Sequence, residues 1–198
     1  MEIIESFINL SLHELTMVNI YKLKLTNLQQ EILRLLFIKT GESLNQRAIA
    51  RALKVSPPAV MKSLPKLEKE SLIKLIQDKD SKRWSIELNQ DNYKVMQLKR
   101  VDNLKLIYES GLADYLEKEF AGATIILFGS YSRGEDTNRS DIDIAIIGRK
   151  DKLINLETFE SFLERKINLN FYDSFKEIHK NLKENLLNGI ILFGGVEL

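Results

Sequence analysis

Two aspartates two residues apart, Asp141 and Asp143, are the side chains of this sequence best placed to do chemistry. On a strand, positions i and i+2 project to the same face about 6.6 Å apart. Both carboxylates then share one face, while Ile142, Ile144 and Ile146 take the other. Two like charges this close repel each other unless a cation lies between them. Carboxylate oxygens are hard ligands of the kind that suit Mg²⁺ or Mn²⁺, ions often shared with substrate phosphates.

A second group stands upstream at Leu127-Phe128-Gly129-Ser130-Tyr131-Ser132-Arg133-Gly134. Thr124–Phe128 reads as a short buried strand that ends where Gly129 lets the chain turn sharply and a ligand approach the backbone. A helix starting at Ser130 would aim free N–H groups and a positive dipole end at a phosphate. The Ser130 hydroxyl and the Arg133 guanidinium are natural further partners for that anion. Ser140, just ahead of Asp141, completes the expected nucleotide-contacting set of Gly129, Ser130, Arg133 and Ser140.

Gly129-Ser130, ten intervening residues and then Asp141-x-Asp143 is similar to the signature of the DNA polymerase beta-like nucleotidyltransferases. The form Gly-Ser-Tyr-Ser-Arg-Gly, then Ser-Asp-Ile-Asp, resembles the minimal nucleotidyltransferase (MNT) branch over residues 121–198. The resemblance implies transfer of a nucleotidyl group from a nucleoside triphosphate, with ATP the first expectation, to an acceptor hydroxyl. It implies Mg²⁺ or Mn²⁺ as cofactor, with Asp141 and Asp143 as catalytic metal ligands. MNT proteins are often antitoxins that modify or bind a HEPN-type toxin, so the resemblance also implies a protein partner.

One departure matters for activity. Active members of the family carry a third carboxylate on the next strand, which here reads Lys166-Ile167-Asn168-Leu169-Asn170-Phe171. Asn168 and Asn170 are neutral amides that accept no proton, and losing a general base costs about 10²–10⁴ in rate. Glu135, Asp136 and Asp173 are the carboxylates left to substitute. The alternative to an enzyme is a DNA-binding regulator whose nucleotidyltransferase-like domain only senses nucleotide.

The elements that must position these groups follow from periodicity. Leu153, Leu156, Phe159, Phe162 and Leu163 predict a helix, and Ile167, Leu169 and Phe171 form one face of a strand. Ser174 with Glu177 reads as a capping box opening a helix to about Leu187, before a last apolar segment, Ile190–Phe193. Upstream, Thr26 with Gln29 is a second capping box, and Leu28, Ile32, Leu35 and Leu36 keep helical period until Gly41. Short helices over Gln46–Leu53 and from Pro57, capped by Ser56, precede strands at Leu72–Gln77 and Trp84–Leu88. Three helices and a hairpin make a winged helix-turn-helix.

Lys62, Ser63, Lys66 and Lys69 on the third helix, with Lys79, Lys82 and Arg83 in the wing, are the expected contacts to double-stranded DNA. Residues 41–90 hold ten Lys and Arg against six Asp and Glu, whereas residues 121–198 hold ten against twelve. The basic half and the acidic half are therefore expected to meet different partners. Winged helices also serve as protein-interaction modules, and Pro65 inside the third helix costs about 3 kcal/mol unless the helix kinks or ends there.

The expected organisation is α+β. An N-terminal extension (1–24) leads to a winged helix-turn-helix domain (25–90), a helical connector (91–120) and a small mixed-sheet nucleotidyltransferase domain (121–198). In the connector, Asn92 is the cap and Val95, Leu98, Val101 and Leu104 share one face. The apolar extension, with Ile3, Ile4, Phe7, Ile8, Leu12 and Leu15, packs on the next domain or on another subunit of a homodimer. The absence of cysteine excludes disulfides and thiolate chemistry. The acidic start, Glu2 and Glu5, is unlike a signal peptide, and no apolar run approaches the ~20 residues of a membrane helix. A soluble, cytoplasmic protein is the expectation.

Overall fold

A computed structural model describes residues 24–79 and 83–196. Residues 1–23 of the N-terminal extension and Lys82 of the wing lie outside the described residues.

The first half is three helices and a hairpin. Helix α1 (Asn27–Ile38) starts where Thr26 Oγ1 accepts from the Gln29 N–H and the Gln29 side chain accepts from the Thr26 N–H. Asn45 and Ser56 cap α2 (Gln46–Ala52) and α3 (Pro57–Lys69) through their side-chain oxygens. Strands β1 (Ile73–Gln77) and β2 (Trp84–Leu88) pair antiparallel, and Leu44 bridges to Ile86. Ile32, Leu36, Ile49, Val60, Leu64, Leu67, Leu72 and Ile86 close one core. Removing each such side chain from water stabilises the fold by about 1.5–3 kcal/mol before entropy is counted. Pro65 does not end α3. It lies on the exposed side, where water can serve the carbonyl that its missing N–H leaves unpaired.

Helix α4 (Tyr93–Glu109) corrects the expected connector face. Asn92 does cap it, through Oδ1 to the Lys94 N–H, but Val101 is 67% exposed. The buried positions are Val95, Lys99, Asn103, Leu106 and Ile107. Two of these are polar, so hydrophobicity alone points to the wrong stripe. Val95 joins the winged-helix core, and Leu106 and Ile107 join the next one.

After α5 (Leu112–Glu119) comes a four-stranded mixed sheet in the order β5-β4-β3-β6, with β3 (Thr124–Phe128), β4 (Ile142–Ile147), β5 (Ile167–Tyr172) and β6 (Ile190–Phe193). Only the β4–β5 pair is parallel. A parallel pair needs a crossover, which α7 (Glu157–Leu163) supplies. Ile125, Leu127, Ile142, Ile144, Ile146 and Ile167 pack one sheet face against α4, α5 and α7. Ile126, Phe128, Ala145 and Ile147 pack the other against Phe175, Ile178 and Leu186.

Two further expectations fail locally. Leu153 precedes α7 and is fully exposed, and Phe162 is largely exposed, so α7 buries only part of the expected stripe. Ser174 makes no side-chain cap, and a single 3-10 turn, Phe175–Glu177, gives way to extended backbone at Ile178. Helix α8 (Lys180–Leu187) starts after it. Burying Phe175 and Ile178 together under the sheet is what the interruption achieves.

Candidate active site

The turn from β3 into α6 (Gly129–Arg133) sets the site. Phe128 stands opposite Asp143 in the antiparallel β3–β4 pair, so the next residue faces the Asp143 side chain. Gly129 has φ +75°, and a Cβ added there would stand 2.7 Å from Asp143 Oδ2. Any larger residue would meet both backbone strain and that carboxylate. The Ser130 hydroxyl makes no hydrogen bond among the described residues, whereas Ser132 Oγ donates to the Gly129 carbonyl at 2.9 Å. Arg133 does not point freely to the site: its Nε pairs with Glu135 at 2.7 Å.

The loop from α6 to β4 is pinned from below. Asp136 is buried, with Lys99 Nζ 2.9 Å from Oδ1, Asn103 Nδ2 donating to the same oxygen at 2.7 Å, and Arg165 Nη2 3.5 Å from Oδ2. Burial lowers the Lys99 ammonium from its ordinary value against the pull of Asp136. Burial also pushes the neighbouring Tyr131 phenol up, with the Asp136 charge adding to the effect. Ser140 Oγ then accepts from the Thr137 N–H at 3.0 Å and closes the turn that delivers Asp141. Ser140 thus spends an acceptor position on the loop.

Strand β4 begins at Ile142, so Asp141 is the exposed residue just before it and Asp143 is half-buried within it. The parallel register puts Asn168 of β5 beside Asp143. Asn168 Nδ2 donates to Asp141 Oδ2 at 3.1 Å and to Asp143 Oδ1 at 3.3 Å. Both carboxylates therefore converge on one point. Asn170 lies one step further, level with Ala145, and reaches only the Asn168 carbonyl at 3.4 Å.

No third carboxylate joins the pair among the described residues. Asp136 is held in the buried cluster and Glu135 by Arg133. Asp173 follows Asn168 by five residues, about 16 Å along an extended chain. Two converging carboxylates with an amide between them fit a hard divalent cation as a partial ligand set, with room for water and phosphate oxygens. Beside Asp141 lies an open cavity of about 520 Å³ lined by Asn138, Arg139, Glu157, Glu160 and Lys166 among others.

The same loops touch the first half. Asn138 N donates to the Thr40 carbonyl at 2.9 Å and its side chain to Glu42 at 2.5 Å. Lys39 pairs with Glu164 at 2.5 Å, and Arg165 Nη2 donates to the Ile38 carbonyl at 2.7 Å. Sequence reading missed Lys99, Asn103, Asp136 and Arg165 as a group. The available signal was Lys99 and Asn103, four apart on one helical face with Val95 and Leu106.

Of the expected DNA contacts, Lys62, Lys69, Lys79 and Arg83 are exposed. Lys66 is half-buried and its Nζ donates to the Lys24 carbonyl. Ser63 is a correction: it is buried, its Oγ donates to the Ala59 carbonyl, and its own carbonyl accepts from Gln29 Nε2. Helical period places it with Val60, Leu64 and Leu67 on the core side.

Two family comparisons bear on this architecture. Residues 109–193 match the nucleotidyltransferase domain family, and residues 25–84 match the MarR family. The chain joins a MarR-type winged helix to a nucleotidyltransferase domain. That nucleotidyltransferase match contains Gly129, Ser130, Asp141, Asp143 and Asn168.

No curated protein matches the chain. Among solved structures, MepR of Staphylococcus aureus in complex with DNA is 27% identical, with 48% of this chain and 77% of that one covered at a TM-score of 0.36. AdcR of Streptococcus pyogenes is 25% identical over 50% and 71%, at a TM-score of 0.38. A variant of ZitR from Lactococcus lactis is 30% identical over 50% and 65%, at a TM-score of 0.36. No helix among the described residues is long and apolar enough to cross a membrane.

Proposed function

We propose that the protein is a cytoplasmic, nucleotide-responsive DNA-binding regulator. Its nucleotidyltransferase domain binds a nucleoside triphosphate, ATP first among them, together with Mg²⁺ or Mn²⁺, and turns it over slowly or not at all. The observation that carries this reading is the amide of Asn168 between the carboxylates of Asp141 and Asp143, on the strand where the resemblance to the DNA polymerase beta-like nucleotidyltransferases implies a third acid.

Asp141 and Asp143 would hold the cation, which supplies charge neutralisation for the phosphates. Gly129 leaves space beside Asp143, and the unengaged Ser130 hydroxyl is available to a phosphate oxygen. Ser140 would act by holding the turn ahead of Asp141. Arg133 contributes once it leaves Glu135. Neither Asn168 nor Asn170 can take a proton from an attacking hydroxyl, and among the described residues no other carboxylate is grouped with the pair. Binding therefore outlasts turnover.

The regulator reading over a plain transferase is favoured by the junction. The loops that lead into Asp141 and into the strand of Asn168 are hydrogen-bonded through Asn138 and Arg165 to the end of α1 in the winged helix. DNA is the proposed partner of the exposed Lys62, Lys69, Lys79 and Arg83. Homodimerisation would present two such faces to a two-fold operator, as winged-helix dimers do. The test is retention of duplex DNA with and without Mg²⁺ and ATP. A nucleotide-dependent change in affinity supports the regulator, and DNA binding indifferent to nucleotide contradicts it. Rapid labelling of a HEPN-type partner from radiolabelled ATP would instead restore the antitoxin transferase.

A further inference from the structure

The Asn168 side chain holds together two carboxylates that would otherwise repel, and it does so from one nitrogen. Its two N–H bonds run to Asp141 Oδ2 and Asp143 Oδ1, 3.1 and 3.3 Å away. That nitrogen stands close to where a divalent cation shared by the two carboxylates would sit, since Mg²⁺ and Mn²⁺ lie within about 2.0–2.3 Å of each oxygen. A cation and an N–H donor cannot both face the pair, because both present positive charge to the same oxygens. Meanwhile Asn168 Oδ1 makes no hydrogen bond among the described residues, and the residue is exposed. Turning the amide over would break only the two N–H bonds. The terminal torsion of asparagine is broad and roughly two-fold, so the turn needs no repacking.

We infer that Asn168 is a reversible placeholder: its NH₂ group substitutes for the cation in the metal-free protein, and the amide turns over to offer Oδ1 as a neutral ligand when a divalent cation arrives. The inference rests on the proposed cation site and adds how that site is kept ready. A neutral amide oxygen contributes less than a carboxylate, and ligand charge count tunes cation affinity. The arrangement thus gives a site that is stable empty and fills reversibly with Mg²⁺. Asn170, level with Ala145 rather than with Asp143, has no part in it.

Two measurements on the full chain test this. In ¹⁵N-labelled wild-type protein, the Asn168 side-chain NH₂ pair is assigned by its loss in Asn168→Asp. Mg²⁺ should move that pair toward the position of a free, rapidly exchanging amide, in step with the backbone signals of Asp141 to Asp143. An unmoved pair while those backbone signals titrate would overturn the placeholder and leave the cation site standing. Backbone signals that ignore Mg²⁺, with and without ATP, would overturn the cation site and the placeholder together.

Mn²⁺ affinity supplies the second readout. Asn168→Ala should bind about tenfold more weakly, the low end of what losing a supporting group costs a metal site. Asn168→Asp should bind tenfold or more tightly, since it adds a charged ligand, at about that scale. Asn170→Asp should change little. Tighter binding by Asn168→Ala would mean that the amide only blocks the site, and would overturn the inference.

Discussion

Arg165 Nη2 donates to the carbonyl oxygen of Ile38 at 2.7 Å and stands 3.5 Å from Asp136 Oδ2. One guanidinium thus links the last turn of α1 in the winged helix to the loop that carries Asp141. Three residues further on, strand β5 carries Asn168. The contact gives the two halves a shared buried ionic centre, completed by Lys99 and Asn103 from α4.

Breaking that centre from the acidic side should be costly. Asp136→Ala leaves Lys99 buried without its counter-charge, and truncating one partner of a buried pair costs about 3–5 kcal/mol. Chemical denaturation should show a loss of this size, with part of it recovered in Asp136→Ala/Lys99→Met. A loss of under about 1 kcal/mol would place the pair in the class of solvent-screened bridges instead.

Gly129→Ala probes the other side of the site. The added Cβ would stand 2.7 Å from Asp143 Oδ2, and a left-handed backbone costs an L-residue about 1–2 kcal/mol. The variant should fold with a lowered Tm and lose cation binding, because Asp143 must shift away. Thermal unfolding and Mn²⁺ titration on the same samples check both effects. Unchanged Mn²⁺ affinity would show that Gly129 serves the turn alone.

Acid stability should carry the mark of Glu160. Its carboxylate accepts from Lys166 Nζ and from the Ile167 N–H, which together hold its pKa below the usual glutamate range. A depressed acid contributes stability that is present above its unfolded pKa and lost as pH falls through its folded one. Wild type should therefore lose stability below about pH 4.5, the ordinary glutamate region. Glu160→Gln should show a shallower slope there, and parallel slopes would show that the contacts at the start of β5 carry no linkage.

DNA binding should be steeply salt-dependent. Each neutralised phosphate contributes about 0.9 to the slope of log K against log salt. Removing Lys79, Lys82 and Arg83 together should flatten the slope by up to about 2.7 in these terms. A triple variant with unaltered slope would move the DNA face away from the wing.

Much of this architecture is legible in the sequence because capping and alternation are local. Thr26 with Gln29, Ser56 before Pro57, and the isoleucines of β4 each determine their element within a few residues. The spacing from Gly129 to Asp143 is legible in the sequence, whereas the choice between Asn168 and Asn170 as Asp143's neighbour is not, since register between β4 and β5 is set across a crossover. What sequence reading misses is non-local or locally misleading. Val101 fits an apolar stripe, yet the face of α4 that is buried carries Lys99 and Asn103, whose burial depends on Asp136 more than thirty residues away. Ser63 sits among lysines in sequence and among leucines in space. Ser174 and Glu177 have the spacing of a cap, but burying Ile178 under the sheet outweighs it.

Asp141 and Asp143 are proposed to hold a cation and, through it, a nucleoside triphosphate. The most direct measurement is calorimetric titration of ATP into the protein in Mg²⁺, using wild type and Asp141→Asn/Asp143→Asn. Wild type should give saturable heat by millimolar ATP, and the same heat should be absent when Mg²⁺ is chelated. The double variant should give none while keeping a cooperative thermal transition. Wild-type protein that binds no ATP at millimolar concentration, or a double variant that binds it equally well, would contradict the account.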